Sequence, residues 1–165
     1  MKVFGIVGRK SCGKTHLVIR LVRLASQRGL RVSTIKHAHH SFDIDRPGKD
    51  SHLHREAGAH EVLVASAERW ALMHEHCGAP EPSLVELLSK LAPCDLVLVE
   101  GFKREVNLRL EVYRASCGQT PLAFEDQGIL AVATDDAATF AACGVLPCLP
   151  LDDEAAVLDY VLARA

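Results

Sequence analysis

Nowhere in the 165-residue chain do apolar residues run on for the roughly 18 positions that a membrane-spanning helix needs. The first apolar run, Val3 to Val7, is also too short for the core of a secretory leader. A cytoplasmic protein with no membrane partner is expected. Pairs of cysteines in C-x-x-C spacing are missing as well. Cys12, Cys77, Cys94, Cys117, Cys143 and Cys148 are scattered, and reduced thiols are the expectation. Basic charge is not in excess, with 19 Lys and Arg against 21 Asp and Glu, so a general nucleic-acid binder is excluded. Repeats and low-complexity linkers are absent too, and the length suits one compact domain over residues 1–165.

Periodicity organises the rest. Lys2 to Val7 reads as a strand, followed by a glycine-containing loop and a helix in which Leu17, Leu21, Leu24 and Ala25 recur at helical spacing until Gly29. A second strand is expected at "RVSTIKH", then a long polar loop broken by Pro47 and Gly48, and a short helix at Ser51 to Ala57. "HEVLVAS" and "RWALMHE" read as a strand pair. Ser83 with Glu86 marks a helix start, and "LVLVE" an inner strand of a parallel sheet, buried on both faces. Strands follow at Leu108 to Arg114, Ile129 to Thr134 and Val145 to Leu149, with a closing helix at Glu154 to Ala163. The pattern predicts a three-layer α/β phosphate-loop NTPase fold: a mostly parallel sheet with helices on both faces.

The loop after the first strand, "GRKSCGKT", matches G-x-x-x-x-G-K-[ST] in the strand-to-helix context that gives this motif its meaning. A triphosphate must exchange water for fixed donors, and such a loop supplies backbone amides, a helix N-terminus and one ammonium group. Gly8 and Gly13 let the backbone curl; Arg9, Lys10, Ser11, Cys12 and His16 complete the cradle. Lys14 is expected on the phosphates as a catalytic group, and Thr15 on Mg2+. A phosphate loop also needs an acid at the end of a neighbouring strand to position the metal or attacking water. "CDLVLVEG" offers Asp95 and Glu100, separated by roughly 17 Å along an extended strand. Ligands gather at the carboxyl ends of such strands, which selects Glu100 as the second catalytic and metal-binding group, with Gly101 beside it.

Five of the nine histidines fall in "IKHAHHSFDIDRPGKDSHLH". Its spacing matches no structural zinc pattern. Lys36, His37, His39, His40 and Lys49 read better as a polyanion clamp, with Asp43, Asp45 or Asp50 completing a Mg2+ shell and Asp43 as the metal candidate.

"TIKHAHHSFDIDRPGKDS", "AGAHEVLVAS", "RWALMHE" and "DLVLVEGFKRE" together resemble the molybdopterin-guanine dinucleotide biosynthesis protein B (MobB) family, over almost the whole chain. The resemblance implies a GTP-binding adapter with weak GTPase activity. Such an adapter assists a molybdenum cofactor guanylyltransferase in converting molybdopterin to its guanine dinucleotide form. It also implies a homodimer, with the strands around Glu61 to Glu75 as pairing surfaces, and places the segment around His37 to Asp50 toward nucleotide or pterin. The family often has Pro-Lys after "EGFK", where this chain has Leu108 and Arg109. No N-K-x-D motif is present; Asp135, after "AVAT", is a candidate guanine acceptor or a helix N-cap. Two alternatives stand beside the adapter. One is a metallochaperone GTPase, suggested by the histidines; the other is a small-molecule kinase, whose lid would need Arg104, Arg109 or Arg114.

Overall fold

The computed structural model describes residues 1–38, 42–102, 105–141 and 146–165. They fall into two compact units, one formed by Met1–His37 with Leu84–Ala165 and the other by Ala38–Ser83.

The larger unit is built on strands β1 (Lys2–Val7), β2 (Val32–Lys36), β5 (Leu96–Glu100), β6 (Arg109–Tyr113), β7 (Ile129–Thr134) and β8 (Cys148–Pro150). They lie in the order β2-β5-β1-β6-β7-β8, and every pairing is parallel. Side chains alternate between the faces, as strand geometry requires. Phe4, Ile6, Leu96, Leu98, Leu110 and Val112 pack against α1 (Lys14–Gln27) and α5 (Glu154–Arg164). On the opposite face, Val97 and Val99 meet Leu84, Leu87 and Leu88 of α3 (Leu84–Ser89), and Val132 and Tyr113 meet Phe140 of α4 (Ala138–Ala141). β5 runs between β1 and β2 with both faces covered, which is why its sequence shows no polar alternation. The expected three-layer α/β architecture is the one observed.

α1 forms because Leu17, Leu21 and Ala25 share one buried stripe. It stops at Gly29, whose φ of 80° closes the last turn while the Leu30 amide donates to the Ala25 carbonyl. The strand expected over Val145 to Leu149 is β8, at Cys148–Pro150; Val145 lies outside the described residues.

The second unit holds α2 (Asp50–Glu56) and an antiparallel hairpin of β3 (Glu61–Ala65) and β4 (Trp70–His74). Its turn is tied by Ser66, whose hydroxyl accepts the amides of Glu68 and Arg69. Leu63 faces Leu72 and Ala65 faces Trp70 in the register, and Leu63, Trp70 and Leu72 are largely exposed.

Candidate nucleotide site

The chain leaves β1 through Gly8 at φ 150°. A Cβ there would lie 2.5 Å from the Val112 carbonyl oxygen, so only glycine lets the loop pass this close to β6. Gly13, at φ 96°, is the N-cap of α1. No side chain caps this helix and its first turn carries no acid, leaving amide N–H groups at a partially positive terminus. Lys14 Nζ donates to the Arg9 carbonyl oxygen at 2.7 Å, across the loop's mouth. Thr15 and His16 are exposed on the first turn, and Lys10 and Ser11 on the loop. Cys12 is buried, with its thiol in hydrogen-bond reach of Cys117; burial above all pushes it up to about 11.

The second part of the site comes from β5. Its parallel register sets Glu100 level with Ile6 of β1 and Lys36 of β2, so three strands end along one edge. There the Thr15 hydroxyl donates to Glu100 Oε1 at 2.9 Å. The pair joins residues 85 positions apart and puts two oxygen ligands of the kind Mg2+ prefers side by side. The His37 amide donates to the Glu100 carbonyl oxygen at 2.8 Å, and the His37 ring stands 4.7 Å from that of Phe102. Gly101, at φ 103°, is required because a Cβ there would come within 2.6 Å of His37 Cβ. Asp95 is at the other end of the strand, where its carboxylate accepts the Arg31 amide at 2.7 Å.

The candidates Gly8 to His16, Lys36, His37, Glu100 and Gly101 therefore meet at one edge of the larger unit. Asp43, Asp45, Lys49 and Asp50 belong to the second unit. There Arg55 gathers the carboxylates of Asp43 (2.8 Å), Asp45 (3.0 Å) and Glu75 (2.9 Å), and all three raise its pKa, opposed by desolvation. Lys49 precedes α2 and Asp50 begins it. His39 and His40 lie outside the described residues.

Asp135 follows β7 at the same sheet edge, accepting the Ala115 amide at 3.1 Å and pairing with Arg114 at 3.2 Å. The cap of α4 comes from Asp136, which accepts the Thr139 amide at 3.3 Å, so the capping alternative for Asp135 passes to its neighbour. Arg9 is held in cis by Glu125, at 2.9 Å and 3.0 Å, and by the Thr120 carbonyl. Of the three lid arginines, Arg104 lies outside the described residues and Arg109 is buried against Asp126 and the Val106 carbonyl. Arg114 is instead part of the loop's surroundings. Sequence reasoning also missed Glu111. This fully buried carboxylate on β6 accepts the amides of Leu122 and Ala123 at 2.8 Å each. Burial raises its pKa, while those amides and Arg9 oppose the shift. A lone Glu in an apolar strand carries no spacing signal that would have revealed this.

Strand, glycine loop and helix with Lys14 and Thr15, joined to an acid on the adjacent strand of a parallel sheet, define a phosphate-loop NTPase-like α/β protein. The sequence model described as MobB, molybdopterin guanine dinucleotide synthesis protein B, matches residues 3–135, and the chain belongs to that family. It is 43% identical over 126 residues to the molybdopterin-guanine dinucleotide biosynthesis adapter protein of Escherichia coli (strain K12), covering 74% of this chain and 72% of that protein. The protein of the same name from Haemophilus influenzae (strain ATCC 51907 / DSM 11121 / KW20 / Rd) is 40% identical over 136 residues, covering 81% and 74%. The crystal structure of Bacillus subtilis MobB superposes with a TM-score of 0.77 at 23% identity, covering 99% of this chain and 97% of that one, and so shares the fold.

Proposed function

We propose that this chain is a GTP-binding adapter with slow GTPase activity that assists a molybdenum cofactor guanylyltransferase in forming the guanine dinucleotide of molybdopterin. The names of its relatives support the pathway. The observation that carries the nucleotide reading is the Thr15 to Glu100 hydrogen bond of 2.9 Å beside an uncapped helix N-terminus. Backbone amides of the loop and Lys14 bind the phosphates. Thr15 and Glu100 hold Mg2+, which supplies charge neutralisation to the phosphate chain. Glu100 is a modest hydrolytic apparatus, which suits a protein that holds GTP for a partner.

Asp135 accepts hydrogen bonds from the N1–H and N2–H groups of guanine, a task suited to one carboxylate at the carboxyl end of a strand. The outward apolar face of the hairpin, with Leu63, Trp70 and Leu72, pairs two copies into a homodimer. Cytoplasmic location accords with the described residues, which contain no helix long and apolar enough to cross a membrane. Lys36 and His37, at the sheet edge shared with Glu100, face the nucleotide.

The test is titration calorimetry with GTP and Mg2+. Lys14→Ala abolishes binding while far-ultraviolet circular dichroism stays unchanged; micromolar affinity retained by the variant overturns the assignment. Asp135→Asn, compared for GTP and ATP, reduces the preference for GTP by about tenfold or more, the usual result of leaving a buried donor unpaired.

A further inference from the structure

Arg114 stands where a cation is electrostatically unwelcome. It closes β6, the strand beside β1, and a Cβ built on Gly13 would lie 3.2 Å from its Nε. Gly13 is the N-cap of α1, so the guanidinium is pressed against the positive end of a 14-residue helix that has no acid in its first turn and Lys14 at its first position. Two carboxylates offset it from the side, Asp135 at 3.2 Å and Asp152 at 3.9 Å. Their side chains are 34% and 80% exposed, a range in which ion pairs contribute little. Asp152 also faces Arg20, at 3.7 Å.

The backbone around Arg114 is nonetheless well held. The amide after it donates to Asp135 at 3.1 Å, and its own carbonyl accepts the Cys117 amide at 3.1 Å. A firmly placed backbone aims a permanent cation at the loop's helix terminus. That arrangement is unfavourable by itself and becomes favourable when a polyanion lies between the two positive groups.

We propose that Arg114 is a second phosphate-binding cation of this site, acting in cis beside Lys14, carried on a backbone turn that the Ala115 amide to Asp135 bond and the Cys117 amide to Arg114 carbonyl bond hold in place. The inference rests on the reading that the loop binds GTP. The guanidinium fork donates to phosphate oxygens in a geometry a lysine cannot reproduce. Gly13 is favoured here by its φ of 96°, and a Cβ there would crowd the Arg114 guanidinium, which would have to shift by a few tenths of an ångström.

The experiment measures GTP affinity with Mg2+ by calorimetry at low and high salt, for the wild-type chain, Arg114→Gln, Arg114→Lys and Lys14→Ala. Thermal unfolding without nucleotide is followed in parallel. Arg114→Gln is expected to weaken GTP by about 10- to 100-fold, the range for a hydrogen bond to a charged group, and to flatten the salt dependence because one screened charge contact is gone. Arg114→Lys recovers part of the affinity and the full salt dependence. If Arg114→Gln does not fold, Arg114→Lys alone decides, with a loss of at least about threefold expected from the missing fork. Arg114 variants that bind within twofold of wild type, while Lys14→Ala abolishes binding, overturn this inference and leave the nucleotide reading intact. Weakened binding with an unchanged salt dependence assigns Arg114 a structural role and also overturns it. A wild-type chain that does not bind GTP overturns both.

Discussion

Single residues in the loop are constrained by backbone geometry before any ligand is considered. Gly8→Ala drives a methyl into the Val112 carbonyl oxygen at a φ that L-residues avoid. It should lower stability by about 2–4 kcal/mol in urea denaturation, the sum of left-handed strain and overpacking. Cys12 offers a chemical check on the same loop. Its thiol is raised from an ordinary value of 9.0 to about 11, chiefly by burial, so it stays protonated at neutral pH and is a poor nucleophile. Iodoacetamide at pH 7.5 should therefore label exposed Cys77 and spare Cys12, as read by peptide mass spectrometry. Because the folded value lies above the unfolded one, the neutral thiol favours the fold below pH 9.0, and that contribution fades as pH rises through about 11. The motif letters alone identified Gly8, Gly13, Lys14 and Thr15. The thiol's pairing with Cys117 was not legible, since nothing in their spacing distinguishes neighbours from strangers.

Elements were legible where periodicity and punctuation agreed, as in α1, β5 and the hairpin, and less so where a distant side chain completes them. The start of α3 is an example. Ser83 and Glu86 signal a helix from local pattern, yet the Leu84 amide donates to Glu105 Oε2 at 2.7 Å, from 21 residues downstream. Glu105→Ala should cost about 1 kcal/mol, the usual worth of a lost N-terminal acceptor, measurable as a shift in the urea midpoint with an unchanged slope. Arg55 plays the corresponding part in the second unit, holding Asp43, Asp45 and Glu75 between the loop, α2 and the end of the hairpin. Arg55→Ala should speed amide hydrogen exchange in α2 and β3 while leaving β1 and β5 protected. Uniform change across both units would contradict a local role.

At the scale of the whole molecule, the proposed homodimer makes a prediction that the hairpin face carries. Leu63→Lys combined with Trp70→Lys should convert a dimer to a monomer in sedimentation velocity, with circular dichroism unaltered, since both side chains are exposed in the single chain. A double variant that still sediments as a dimer would move the pairing surface elsewhere. The site itself is a whole-molecule property too. Lys36, Glu100 and the phosphate loop share one edge only because β2, β5 and β1 run parallel and end level.

By itself the amino-acid sequence determined the phosphate loop, the choice of Glu100 over Asp95, the parallel α/β sheet and the resemblance to the MobB family. The loop and the strands depend on neighbours within a few residues, where chain stereochemistry and side-chain periodicity act directly, whereas Glu100 and the resemblance were read from motifs spread along almost the whole chain. Only the tertiary structure decided that Thr15 meets Glu100, that Arg9 is tied to Glu125, that Asp136 rather than Asp135 caps α4, and that Arg114 lies against Gly13. Apart from the cap, these contacts join segments tens of residues apart, and strand order and register decide which distant segments meet. The cap was lost between two adjacent aspartates, because sequence offers both and backbone direction admits one.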